Sequence, residues 1–333
     1  MKKIMAIFLT ATSLVSMCVP ALSGCGGESV KFTLSEEGGK HYIVSYSGYS
    51  SPTGEYEIPA YFGEGKDYAP VTEIADEGFA GTSFSKIIVP GTVTKIGVMA
   101  FGYCHYLETV EFAEGINIDK FSNGMFGNSE KLQQIQIPDS VTTLDGAVFS
   151  GCTSLSLVDL GSVESIGARA FASCTALEEI VLPDTLTTIG VRAFYKSGLK
   201  SVEIPDSVKD IVKPDEEGGT VYGIGYGAFD SCLNLVSAKI GGGVAAIPSG
   251  AFGNCVSLEE LHIPLSVKEI QGVYLENFTP IFGHAFYYDE ALRDIYYEGS
   301  EEQWKEIKID YSLYESYVNN DALKNARKHY NNK

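Results

Sequence analysis

The sequence predicts a β-rich solenoid, a right-handed superhelix of about nine coils with an N-terminal β-hairpin cap and a C-terminal helical cap. Three observations carry this. Phenylalanines return at Phe79, Phe101, Phe126, Phe149, Phe171, Phe194, Phe229, Phe252 and Phe286, mostly 22 to 25 residues apart. Apolar residues hold fixed offsets around each of them. Glycine is abundant, 36 among 333 residues, which suits a chain of many tight turns.

In chain order, residues 1–24 read as a lipoprotein signal peptide. Met1, Lys2 and Lys3 form a positive start, and Ile4 to Val19 an apolar run. Leu22-Ser23-Gly24-Cys25 follows. Charge, apolar run and small residues before a cut make a secretory signal. The last four residues also resemble the bacterial lipobox. That resemblance implies cleavage before Cys25, a diacylglycerol on its thiol, and an exported chain lipid-anchored at the bacterial cell envelope. The apolar run is short for a membrane span of ~20 residues, and Pro20 ends it. Residues 25–30 are then a short tether.

Residues 31–70 are the expected N-terminal cap. His41-Tyr42-Ile43-Val44-Ser45-Tyr46 and Glu55-Tyr56-Glu57-Ile58 read as two strands, with Gly48 to Gly54 as the turn between them. Residues 71–297 hold the repeats. One unit runs Ile166-Gly167-Ala168-Arg169-Ala170-Phe171, Cys174, Leu177, Ile180, Leu182, Pro183. The next has Ile189, Ala193-Phe194, Leu199, Val202, Ile204 and Pro205, and another Ile247, Ala251-Phe252, Cys255, Leu258, Leu261, Ile263 and Pro264. Leu177, Ile180 and Leu182 have the L-x-x-L-x-L form of a leucine-rich repeat. Its last two apolar residues alternate as an inward-facing strand requires. The proline has no N–H to give a ladder and ends that strand. One coil cannot bury its apolar side alone, but stacked neighbours can. These units resemble the BspA-like leucine-rich repeats of bacterial surface proteins. The resemblance implies binding at the cell surface, adhesion included, and brings no catalytic residues.

Residues 298–333 are the expected C-terminal cap. Ile295-Tyr296-Tyr297 reads as the last strand. Ser300-Glu301-Glu302-Gln303 has capping-box spacing and starts a short helix whose Trp304 and Ile307 share a face. The polar stretch from Asn319 to Lys333 reads as a loose closure.

The formal net charge of −19 argues against nucleic-acid partners and against anionic lipid surfaces. Membrane contact is expected through the N-terminal lipid only. Cys104, Cys152, Cys174, Cys232 and Cys255 each stand three residues after a phenylalanine, with Ser129 and Asp289 at the same offset. The repeats of Phe79 and Phe194 read as lacking the position. A one-sided column of this kind suits free, buried thiols rather than a metal site. Adjacent pairs such as Cys152 and Cys174 are spaced so that a bridge is feasible.

No catalytic constellation is visible, and no cofactor or metal is implied. His105, His262 and His284 fall at three different repeat positions, and His41 and His329 lie in the caps. The chain therefore reads as a binding protein, not an enzyme. Two spacings, 35 and 34 residues, mark insertions at Val212–Gly225 and Gln271–Gly283, both placed between the return segment and its Ala-Phe. Insertions at one repeat position emerge on one face. The aromatics there, Tyr222, Tyr226, Tyr274, Phe278 and Phe282 with the flanking Tyr287 and Tyr288, are the candidate binding residues, because rigid tyrosine-rich surface is enriched in recognition sites. The expected function is a monomeric cell-surface protein recognising a protein or glycan. The alternative is a structural or accessory envelope lipoprotein with no external ligand.

Overall fold

The computed structural model describes residues 29–47, 53–209, 223–276, 279–311 and 320–331. The signal segment and Cys25 lie outside the described residues. Among the described residues, no helix is long and apolar enough to cross a membrane.

The repeats stack, and the phenylalanines form the spine of the stack. From Phe79 to Phe286 each ring packs on the next, with centroids 5.2 to 6.0 Å apart. All nine are fully buried. A buried phenylalanine contributes a large apolar area, and each stacked pair adds about 0.5–1.5 kcal/mol.

Three backbone ladders run along the stack. One joins the L-x-x-L-x-L strands in parallel, including Ser201–Glu203, Ser237–Lys239, Glu260–Ile263, Asp294–Tyr297 and Arg327–Tyr330 in that order. Their middle apolar residues, Val202, Ala238, Leu261 and Ile295, point into the core. The second joins short return strands: Lys120–Phe121, Thr143–Leu144, Ser165–Ile166, Thr188–Ile189 and Gly223–Ile224. The third runs through the phenylalanine turns, where Phe101 N–H donates to Met125 O, Phe126 to Val148 O and Phe171 to Ala193 O. In these turns the buried phenylalanine N–H of one coil is thus satisfied by a carbonyl of the next.

These turns impose a handedness. Among the described residues, all twelve non-glycine residues with positive φ stand two residues before or after a spine phenylalanine. Before it are Glu77, Met99, Ala147, Arg169 and Arg192; after it are Tyr103, Asn128, Ser173, Lys196, Ser231, Asn254 and Tyr288, with φ between 52° and 61°. A left-handed residue costs about 1–2 kcal/mol unless it is glycine, and the inter-repeat ladder offsets this.

The five repeat cysteines occupy one column, and each is free and buried. Each thiol donates to the carbonyl of the preceding repeat's phenylalanine: Cys104 to Phe79, Cys152 to Phe126, Cys174 to Phe149, Cys232 to Phe194 and Cys255 to Phe229, at 3.1 to 3.2 Å. Burial pushes the thiols up, Cys152 and Cys232 to about 12. The column has no gaps where Phe79 and Phe194 lack cysteine. Thr82 and Ser197 fill it, with hydroxyls 3.5 and 3.2 Å from Cys104 Sγ and Cys232 Sγ.

Four elements differ from the sequence-based expectation. The N-terminal hairpin forms one strand earlier: Ser29–Ser35 pairs antiparallel with His41–Ser47, while Thr53–Glu57 joins Ser83–Val89 in parallel. Tyr56 gains more there, stacked on Phe84 and tilted on Phe79. The segment through Leu177, Ile180 and Leu182 forms no strand, so Leu157–Asp159 and Ser201–Glu203 are unpaired toward it. This gap coincides with the short turn at Gly198, where a Cβ would meet Thr175 O at 2.2 Å.

The first long spacing opens before the return strand, because Gly223–Ile224 pairs with Thr188–Ile189. The second opens after its return strand, Glu269–Ile270. The two insertions therefore leave the coil at opposite ends of the return strand, not at one repeat position. Finally, the C-terminal stretch is not loose. Helix α1 (Glu301–Lys305) has its Ser300–Gln303 capping box and buries Trp304 edge-on to Tyr297. Helix α2 (Asp321–Asn325) buries Leu323, and Arg327–Tyr330 adds a further parallel strand. Fully buried Asn320 closes the turn ladder, its Oδ1 accepting from Phe286 N and its Nδ2 donating to Gln271 O and Asp310 O.

Candidate functional site

Tyr226, Tyr287 and Tyr288, the candidate aromatics whose side chains are described, do not share one exposed surface. Tyr222 and Phe278 lie outside the described residues. Tyr274 and Phe282 are register partners in an antiparallel hairpin of Tyr274–Glu276 with Thr279–Phe282. Tyr226 is buried in the Phe229 turn. Tyr287 lies flat over two glycines: a Cβ on Gly253 would meet its ring at 1.8 Å and one on Gly283 at 2.7 Å. Its hydroxyl donates to Asp230 Oδ1 at 2.9 Å, tying the Phe286 turn to one two repeats back. Burial and the Asp230 charge push the Tyr287 phenol up. Tyr287 is thus a staple. Tyr288, edge-on to it at 5.6 Å, is 41% exposed and is the member of the set that presents a ring to solvent among the described side chains.

A different arrangement stands out on the C-terminal parallel sheet. Residues between two inward-facing positions of a strand point outward. The register brings Glu203, Lys239, His262, Tyr296 and His329 side by side on that face. The rings of His262 and Tyr296 stack at 4.5 Å, and those of Tyr296 and His329 at 4.6 Å, each pair 13° from parallel. The His329 plane is fixed from the neighbouring column: its Nε2 lies 2.7 Å from Asp294 Oδ1, and Arg327 holds both oxygens of that carboxylate. Arg327, and then His329, hold Asp294 down to about 2.

Beside the column runs a half-open groove of about 310 Å³, lined also by Pro264, Glu298, Tyr330 and Asn331. Such a volume lies at the low end of ligand pockets. Charges around it are paired internally: Lys239 with Glu203, Arg293 with Glu259, Arg327 with Asp294. Glu298 keeps one carboxylate oxygen on the Leu265 N–H.

This column eluded the sequence reading for a definable reason. His262 and Tyr296 both sit at the outward position of L-x-x-L-x-L, a signal that was available. His329 is brought beside them by a strand that the polar C-terminal stretch did not announce. Among the described residues, no group of three His, Cys, Asp or Glu side chains is placed to hold a metal ion.

Comparison with known proteins follows the same lines. Among solved structures, a leucine-rich cell surface protein from Faecalibacterium prausnitzii is 22% identical, with TM-score 0.49, covering 87% of this chain and 100% of that one. A leucine-rich repeat protein of T. pallidum is 25% identical, with TM-score 0.44 and coverages of 69% and 87%. One from Bacteroides ovatus is 19% identical, with TM-score 0.39 and coverages of 92% and 99%. No curated protein matches the chain. The model of the BspA type leucine-rich repeat region matches residues 72–162, 157–214 and 218–306, in six copies. With well over half its length matched, the chain belongs to the BspA-type leucine-rich repeat family.

Proposed function

We propose that this protein is exported to a bacterial cell envelope, anchored there by a lipid on Cys25, and works as a monomeric recognition module for a protein or glycan. In this reading the nine phenylalanines mark nine coils of a right-handed solenoid, and residues 31–70 and 298–333 cap its ends. Recognition replaces catalysis as its role, since the family is one of repeat proteins. The N-terminal charge, apolar run and lipobox support export and anchoring.

The observation that carries the binding role is the outward column of His262, Tyr296 and His329, preoriented by Asp294 and Arg327 and bordered by a groove. Aromatic groups held rigid at a surface bind with little further ordering cost. The test is capture from envelope and host-matrix fractions by the wild-type chain and by Tyr296→Ala. A ligand retained by the wild type and lost by the variant supports the proposal. No ligand, or one indifferent to Tyr296→Ala, favours a structural envelope lipoprotein or another face. Metabolic labelling with a radiolabelled fatty acid, abolished by Cys25→Ala, tests the anchor.

A further inference from the structure

We infer that the groove beside the His262–Tyr296–His329 column takes an uncharged carbohydrate, with a sugar ring stacked on the open face of His329. This rests on the recognition role proposed above and names its ligand class. Three features of the site lead there.

The first is the column's unfinished end. Tyr296 covers one face of the His329 ring. Arg327–Tyr330 is the edge strand of its sheet, and no further strand among the described residues stacks beyond it. The column repeats at 4.5–4.6 Å, so the next place along it is one ring thickness away. The His329 plane is locked by Asp294, itself clamped by Arg327, so the platform exists before the ligand arrives. The apolar C–H face of a pyranose fits such a platform.

The second is charge. Lys239, Arg293, Arg327 and Asp294 are already paired within the protein, so a charged ligand would have to displace an existing partner. The carboxylate left facing the groove belongs to Glu298, which repels anionic polymers and accepts from hydroxyls. The complement to this surface is a neutral chain rich in hydroxyl groups.

The third is the mixture of linings. The Pro264 ring and the aromatic edges supply apolar contact, while Asn331 and Glu298 supply polar partners within one groove. Oriented polar groups on a mainly apolar wall are the general composition of a small-ligand site.

The test is native electrophoresis of the full chain in non-ionic detergent, through gels containing mannan, dextran, galactan or β-1,3-glucan, with polygalacturonate as the anionic comparator. The expected result is retardation by at least one neutral polymer and none by polygalacturonate. Tyr296→Ala and His329→Ala should migrate freely in that gel, while His329→Phe, which keeps a flat ring, stays retarded. Melting curves on the three variants identify any loss caused by misfolding, and His329→Phe then decides. Free migration of the wild type in all four neutral gels overturns the inference. So does retardation that survives both alanine variants, or retardation by polygalacturonate alone. Capture of a protein through Tyr296 with no glycan binding would overturn the ligand class while leaving the recognition role standing.

Discussion

Asp289 occupies the cysteine column, and replacing it with asparagine should stabilise the protein in a pH-dependent way. Its Oδ1 accepts from Cys255 N at 2.7 Å, but its buried Oδ2 has no partner. Elsewhere in the column the side chain donates to the preceding phenylalanine carbonyl. By register, the acceptor awaiting a proton on Oδ2 is the Phe252 carbonyl. Burial pushes the Asp289 carboxyl well above its usual range, with the Asp230 charge adding to the effect. The folded state therefore favours the protonated acid. Below about pH 4 both folded and unfolded forms carry the proton, and the side chain costs nothing by this route. As pH rises, the unfolded chain ionises first, and stability falls by about 1.4 kcal/mol per pH unit until the folded acid also ionises. Asp289→Asn keeps the Oδ1 acceptor, supplies a neutral donor and cannot ionise. Urea denaturation at pH 4.0, 5.5 and 7.0 should show little difference at the lowest pH and a widening advantage for the variant above it. A difference that is constant across the three pH values, or a variant less stable at pH 7.0, would refute the reasoning.

Three further outcomes are expected. Asn320→Ala orphans the Phe286 N–H and removes a donor from the Asp310 carbonyl and from the Gln271 carbonyl, which keeps the Ala285 N–H, so it should cost about 1–3 kcal/mol, the penalty of a buried unsatisfied donor, visible as a lower melting temperature. Ala147, half-exposed and left-handed at φ 54°, separates handedness from packing: Ala147→Gly should be neutral or stabilising by up to about 1 kcal/mol, and Ala147→Val destabilising by about 1–2 kcal/mol. Thiol titration should find Cys104, Cys152, Cys174, Cys232 and Cys255 unreactive in the native protein and all five reactive in unreduced denaturant, with two missing thiols for every disulfide if the column is bridged.

What was legible in the sequence is what repeats. The spacing of Phe79 through Phe286 announced a ring column, and the offset of Cys104, Cys152 and Cys174 announced a second one. Departures from the repeat were harder. The true bound of the first insertion lies at Ile224-Gly225-Tyr226-Gly227-Ala228-Phe229, which repeats the unit Ile166-Gly167-Ala168-Arg169-Ala170-Phe171 with tyrosine and glycine in place of Ala168 and Arg169. Its return strand is only two residues long, too short for periodicity to reveal. Chain proximity favours pairing Thr53–Glu57 with the strand before it, but the packing of Tyr56 on Phe84 draws it to Ser83–Val89 instead. Arg327–Tyr330 could not be read as a strand because its charged and polar residues gain their pairing from Asp294–Tyr297, which is remote in sequence. Tyr226 and Tyr287 carry the same composition whether they bind a ligand or brace a turn, and only burial distinguishes the two.

The left-handed residues around each phenylalanine also bear on how such a chain can change its length. A repeat array grows and shrinks when copying slips by whole units, and any exchange must rejoin the chain in phase. Here the phase is policed by stereochemistry. Every described position with positive φ around the spine carries glycine or a residue that is not branched at Cβ, from Gly81, Gly124 and Gly151 to Met99 and Lys196. A join that is out of frame by a few residues would bring the valines and isoleucines of the strands into these places, where a branched Cβ is disfavoured at every turn. The second insertion illustrates the rule from the other side. It runs directly into His284, and that is the position two before a spine phenylalanine whose φ has left the left-handed region. At the second insertion the added chain has entered where the turn is rerouted, whereas the turn that follows the first insertion keeps its hand at Gly227 and Ser231.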